Sequence, residues 1–164
     1  MSYSIDSNKN KLPASRSKCV LYLNKGEKKM MKQNAIWFSR HNPTAAQLDE
    51  CAARGWSIVA LDQGMELGAM NIMDDSDVYT IGQALLGLVV EHNATIIIGV
   101  WTAPMQEILA RTSHDAVQIG EWQGVECYAS WNVTRPTDGG KPVFEHKRFC
   151  SVGRLSPAAL RWSK

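Results

Sequence analysis

The chain predicts an α/β domain: a small, mostly parallel sheet with helices on both faces and a C-terminal β-hairpin. Three observations carry that prediction. Apolar strand-like segments alternate with helical segments between Ala35 and Glu121, the pattern of repeated βα units. Thr-x-x-Gln at Thr44 and Gln47 has the spacing of a capping box, marking a helix start after the first strand. Beyond Val125 the period shortens to two residues on either side of a Pro/Gly turn, which reads as a hairpin.

Size and composition are those of one soluble globular domain. With 164 residues, 45% hydrophobic and 21% charged, the chain can bury a core without disulfides or metal. Cys19, Cys51, Cys127 and Cys150 are scattered, which argues for a reducing compartment and against a disulfide framework or structural zinc. The run Ala84–Val90 is too short to span a bilayer, and no secretory signal precedes it. A cytoplasmic location is expected.

The net charge of +2 is unevenly spread, with residues 1–33 at +6 and the remainder at −4. Residues 1–33 form a basic arm of Ser, Asn and Lys composition, expected to be disordered apart from a short strand at Cys19–Leu23. Residues 34–155 are the α/β domain, with the hairpin at 125–155, and residues 156–164 a tail. The mildly acidic body argues against a broad duplex-binding face.

Within the domain, Ala35–Phe38 is the first strand and Ala45–Arg54 the first helix, with Ala45, Leu48, Ala52 and Cys51 facing inward and Gly55 as C-cap. Trp56–Leu61 is the second strand. Residues 62–77 read as an irregular loop with an acidic end, Asp74–Asp77, whose carboxylates suit a helix N-terminus. The second helix runs from Asp77 to His92 with Val78, Ile81, Leu85, Leu88, Val89 and His92 as one stripe. Thr95–Trp101, continuously apolar and β-branched, is the central parallel strand. A third helix starts at Thr102-Ala103-Pro104 and ends near Thr112, and Val117–Glu121 is a short strand. In the hairpin, Arg148 and His146 are expected on one strand face, and Cys150 shares that face too far from His146 to hold one metal ion.

Three βα units pack most simply in the order 2-1-3, the hairpin extending one edge. Ligands of such sheets bind at the carboxyl ends of the strands, where the winding reverses. That crevice lies between Ser39–Thr44 and Trp101–Pro104, so two turns distant in sequence face each other.

No GxGxxG or GxxxxGK[ST] occurs, so neither the dinucleotide fingerprint nor the P-loop is present, nor is a GxSxG elbow. Arg40 and His41 are the best candidates for chemistry: arginine offers a planar fork to phosphate, and histidine exchanges a proton near neutral pH. Ser39, Asn42, Thr44, Trp101 and Thr102 complete the expected ligand-binding set. No metal site and no cofactor are expected.

The segment from Phe38-Ser39-Arg40-His41-Asn42-Pro43-Thr44 to Ala45-Ala46-Gln47-Leu48 resembles the opening of CRISPR-associated Rossmann-like (CARF-type) proteins. These are stand-alone ring nucleases and sensors of cyclic oligoadenylate. The later Ile98–Pro104 strand-turn-helix is similar to theirs. The resemblance implies a Rossmann-like fold, a homodimer with a cyclic oligonucleotide across its two-fold axis, and metal-independent cleavage. In that reaction the ribose 2′-OH attacks its own phosphodiester and the protein positions the ring. Arg40 would clamp phosphate, His41 would assist proton transfer, and Ser39 and Thr102 would orient the ring. The rival expectation is a non-enzymatic interaction protein of a phage or mobile element, inhibiting a host nucleic-acid-handling complex. Its partner would meet loop 62–77 or hairpin 125–155.

Lys25-Gly26-Glu27, shortly before Met30 and Met31, is what a purine-rich ribosome-binding site reads as when translated. The native start is therefore expected at Met30 or Met31. Intact-mass analysis of the natively expressed protein checks this, and a native Met1 overturns it.

Overall fold

The computed structural model describes residues 31–119 and 124–160. The basic arm up to Met30, Gly120–Glu121 of the expected short strand and the last four residues lie outside them. The elements are β1 (Gln33–Phe38), α1 (Ala45–Arg54), β2 (Trp56–Val59), α2 (Leu61–Gly68), α3 (Asp75–Glu91), β3 (Ala94–Gly99), α4 (Ala103–Ile119), β4 (Val125–Arg135), β5 (Val143–Leu155) and α5 (Pro157–Leu160). They build one five-stranded sheet in the order β2-β1-β3-β4-β5. The β1–β2, β1–β3 and β3–β4 pairs are parallel, and β4–β5 is the antiparallel hairpin. The 2-1-3 core and the hairpin at its edge thus stand as the sequence predicts. Among the described residues, no helix is long and apolar enough to cross a membrane.

Alternation along the central strands explains the layers. Ile36, Phe38 and Ile97 point to one face, where α3 and α4 cover them with Val78, Ile81, Leu85, Met105 and Leu109. Ala35, Trp37, Ile96 and Ile98 point to the other, against Cys51 of α1, Trp56 and Phe149. A strand buried on both sides must be apolar throughout, which is why β3 carries an unbroken isoleucine run. Each buried isoleucine stabilises the fold by about 1.5–3 kcal/mol.

Caps fall where the residues dictate. Thr44 and Gln47 form the reciprocal box, and Gly55 closes α1 in the left-handed conformation at φ 74°. Asp74 and Asp77 form a second box at the start of α3, so the acidic cluster does cap a helix.

Several local expectations are corrected. The second strand stops at Val59, because Ala60 turns into the left-handed region at φ 51° and the chain enters α2 at once. Residues 62–68 and 75–77 of the expected loop 62–77 are therefore helix. Helix α1 buries Gln47 and Cys51, while Ala45, Leu48 and Ala52 are exposed. Helix α4 continues to Ile119 and absorbs Val117–Ile119 of the expected strand. The central strand ends at Gly99, placing Trp101 in the turn beyond it. In the hairpin, Asn132 pairs with His146 but Trp131 pairs with Arg148, so Lys147 is an extra residue. This bulge reverses the side-chain alternation. His146 therefore packs on Phe149, ring centroids 4.6 Å apart. Arg148 instead lies over Trp131, its guanidinium carbon 4.9 Å from the ring centroid. Cys150, one residue past Phe149, also falls on the face opposite His146.

Helix α2 occupies the flank of β1 beyond the end of short β2, and it gets there through glycine. A Cβ on Gly64 would sit 2.1 Å from the Trp37 carbonyl oxygen, and one on Gly68 would sit 2.5–2.6 Å from the Ser39 backbone. Backbone thus meets backbone where β1 ends and the candidate site begins. Gly68→Ala is expected to lower stability by about 1–3 kcal/mol, the usual range for overpacking, as a fall in thermal midpoint. An unchanged midpoint would show that the contact yields.

Candidate functional site

The strand carboxyl ends frame an open pocket of about 430 Å³, within the ~300–1,000 Å³ range of small-molecule sites. Trp37, Ser39 and His41 come from the end of β1, and Asn42, Thr44 and Gln47 from the turn and first turn of α1. Ile98 to Trp101 come from the end of β3, and Ala129, Ser130 and Asn132 from β4. The two turns expected to face each other do so. Of the residues predicted from sequence, Ser39, His41, Asn42, Thr44 and Trp101 line this pocket. Arg40 and Thr102 are not among its lining residues, and both are exposed.

The rim is held by backbone-directed hydrogen bonds. Trp37 Nε1 donates to the His41 carbonyl at 2.7 Å, and the His41 N–H reaches Ser39 Oγ at 3.3 Å. Ser39 is nearly fully buried, 5% exposed, because α2 packs on its backbone. Arg40 Nε donates to His41 Nε2 at 3.1 Å, so that nitrogen is engaged and Nδ1 is the one left for a ligand. Opposite, Trp101 donates from Nε1 to the Tyr128 carbonyl at 2.9 Å and packs on Phe38 at 5.3 Å between centroids. The indole is thereby fixed as an apolar wall.

The back of the pocket carries a polar chain absent from the sequence-based expectations. Gln47 Oε1 accepts from the Thr44 N–H at 2.8 Å, and its Nε2 donates to Ser130 Oγ at 3.1 Å. Ser130 Oγ donates to Asn132 Oδ1 at 2.8 Å and lies 2.6 Å from His146 Nδ1. His146 Nε2 in turn lies 2.6 Å from Glu50 Oε2, and the imidazole side chain is only 5% exposed. Glu50 also accepts the Phe149 N–H at 3.0–3.1 Å and pairs with Arg54 at 2.6 Å. Arg54 donates to the Phe149 carbonyl at 3.1 Å and stacks over Trp56.

Burial raises the Glu50 carboxyl, but the Phe149 N–H, His146 and Arg54 together outweigh it and hold the group below its ordinary value of 4.5. The carboxylate is thus the acceptor, so a hydrogen on His146 Nε2 faces Glu50, while Nδ1 faces Ser130 Oγ. Behind it, burial and then the Glu50 charge push the Cys51 thiol up to about 11, which keeps it protonated and unreactive.

Spacing in the sequence did hold a signal for this chain. Gln47, Glu50, Cys51 and Arg54 recur at helical intervals, the positions that share one face of a helix. An apolar stripe at that spacing reads as core; here three of the four are polar, and the face turns to the hairpin instead. Among the described residues, no group of three or more His, Cys, Asp and Glu is placed to hold a metal ion.

Comparison with known proteins adds no relative: no family model, no curated protein and no solved structure matches the chain.

A depressed carboxyl makes stability pH-dependent in a defined direction. Glu50 contributes fully above its unfolded value near 4.5 and loses that contribution as pH falls through its lower folded value. The thermal-midpoint gap between the wild type and Glu50→Gln is therefore expected to be widest at neutral pH and to narrow below pH 4.5. A gap that stays constant across that range overturns the linkage.

Proposed function

We propose that this chain binds a phosphate-bearing nucleotide in the pocket, and that the natural ligand is a cyclic oligonucleotide. What supports the reading is convergence. Ser39, His41, Asn42, Thr44 and Trp101, drawn from two turns far apart in sequence, line one open hollow at the carboxyl rim of a parallel sheet. Trp37 and Trp101 give apolar surfaces suited to a base, and the polar turn gives donors suited to phosphate. Arg40, exposed beside His41, brings positive charge to the rim.

A pocket of about 430 Å³ takes one nucleotide unit, not a whole ring. The reading therefore includes a homodimer in which a second copy holds another unit of the same ligand. The reading extends to cleavage of cyclic oligoadenylate, the activity of ring nucleases.

The test is a panel of cyclic oligonucleotides scored by calorimetry for binding and by mass spectrometry for product. At least one ring is expected to bind. Arg40→Ala and His41→Ala are each expected to weaken it ten- to a hundredfold, about 1.5–3 kcal/mol for a hydrogen bond to a charged group, with circular dichroism unchanged. No binding across the panel removes the proposal.

One observation favours a second reading, contact with a protein. The outer half of the hairpin exposes Trp131 at 52%, Val143 at 53% and Phe144 at 70%, with the adjacent Val143 and Phe144 on opposite faces of β5, apolar surface that a partner would cover. Photo-crosslinking from position 144 in expressing cells checks it: a discrete protein adduct favours the contact, and none removes it.

A further inference from the structure

We propose that Ser130, His146 and Glu50 form a nucleophilic relay opening into the pocket, and that Ser130 attacks the phosphodiester of the bound nucleotide. The substrate class rests on the nucleotide reading above; the relay rests on geometry alone. Ser130 Oγ lines the pocket and lies 2.6 Å from His146 Nδ1, while His146 Nε2 lies 2.6 Å from Glu50 Oε2. Nucleophile, base and orienting acid are thus each within hydrogen-bond reach of the next, the arrangement that activates a serine hydroxyl. The imidazole uses its two nitrogens in the order opposite to the serine-protease triad, where Nε2 faces the serine. Either nitrogen serves, provided the acid fixes the tautomer.

Three further features point to chemistry. The Lys147 bulge turns His146 to this face; without it, the ring would share the face of Arg148. Bulges that re-aim a side chain concentrate beside active sites. Gln47 Nε2 donates to Ser130 Oγ, and its orientation is locked because its Oε1 is committed to the Thr44 N–H. That donor stabilises negative charge on the oxygen as the proton leaves. Finally, His146 is buried while Ser130 is open to the pocket, so the base is shielded and the nucleophile is not.

The step balances as follows. In the resting site the Ser130 hydroxyl donates to Asn132 Oδ1; for attack it rotates to neutral His146, and its proton passes to Nδ1 as the Oγ–P bond forms and the P–O5′ bond breaks. The imidazolium then gives that proton to O5′. Water attacks the phosphoseryl intermediate with His146 as base, the Oγ–P bond breaks, and Ser130 recovers a proton. One water is consumed, leaving a linear product with 5′-hydroxyl and 3′-phosphate ends. Attack by the ribose 2′-OH would leave a 2′,3′-cyclic phosphate and would require that hydroxyl.

The experiment uses the full chain with the ribose ring that binds best, its 2′-deoxy counterpart, and a fluorophosphonate probe that marks activated serines. The wild type is expected to open both rings to 3′-phosphate ends and to carry the probe on Ser130. Ser130→Ala is expected to bind the ring within threefold of wild type, with the fold retained by circular dichroism, and to lose at least a hundredfold in cleavage. His146→Ala is expected to lose probe labelling. Cleavage confined to the ribose ring with 2′,3′-cyclic phosphate product overturns the relay and leaves the binding site standing. So does tight binding with neither cleavage nor labelling, which would make the three residues a structural tie alone. Labelling of Ser130 without binding of any ring upholds the nucleophile and overturns the nucleotide reading.

Discussion

The Glu50 carboxylate is the constraint on which the pocket side of the molecule depends. It sits on α1 and is met by a main-chain N–H of β5, by an imidazole from the same strand, and by Arg54 one turn along its own helix. Burying a charge is unfavourable unless donors surround it. Here they do, and each donor is itself oriented by the contact. Removing the carboxylate would leave several groups without an acceptor, so its structural influence exceeds that of any single hydrogen bond it makes.

From that point the geometry propagates toward the rim. With the hairpin fixed against α1, Ser130 and Asn132 are presented at the same level as the capping box of Thr44 and Gln47. On the opposite side, the indole of Trp101 is pinned to a β4 carbonyl and to Phe38. The polar groups consequently work between apolar walls. Electrostatic interactions in such surroundings are stronger than in water, and a misplaced donor is correspondingly costly.

The sheet was legible because its signals are local and strong. The isoleucine run of β3, the capping residues around α1 and α3, and the two-residue period of the hairpin each specify an element without reference to distant chain. The first turn was legible too, since Ser39 to Thr44 combine strand end, polar residues and helix cap. What failed did so for tertiary reasons. Gly64 and Gly68 fall in the stretch that reads as an irregular loop, but they are where α2 needs no side chain to lie on β1. Leu48 was assigned inward by polarity, whereas the inner face of α1 carries Gln47 because the hairpin supplies partners for it. The bulge at Lys147 leaves no mark in composition, so the side to which His146 points could not be read. Trp131, an aromatic residue at a strand position, reads equally as core or as interface, and it is half exposed.

The serine, imidazole and carboxylate come from places very far apart along the chain: 16 residues separate Ser130 from His146, and 96 separate His146 from Glu50. Closing so long a loop carries an entropic penalty that only late contacts repay. Helix α1 can form early from its own caps, but the imidazole that backs Ser130 arrives only when the final strand docks. Assembly of the pocket is thereby coupled to completion of the whole sheet, so a partly folded chain presents the rim without the interior that would act on what it holds.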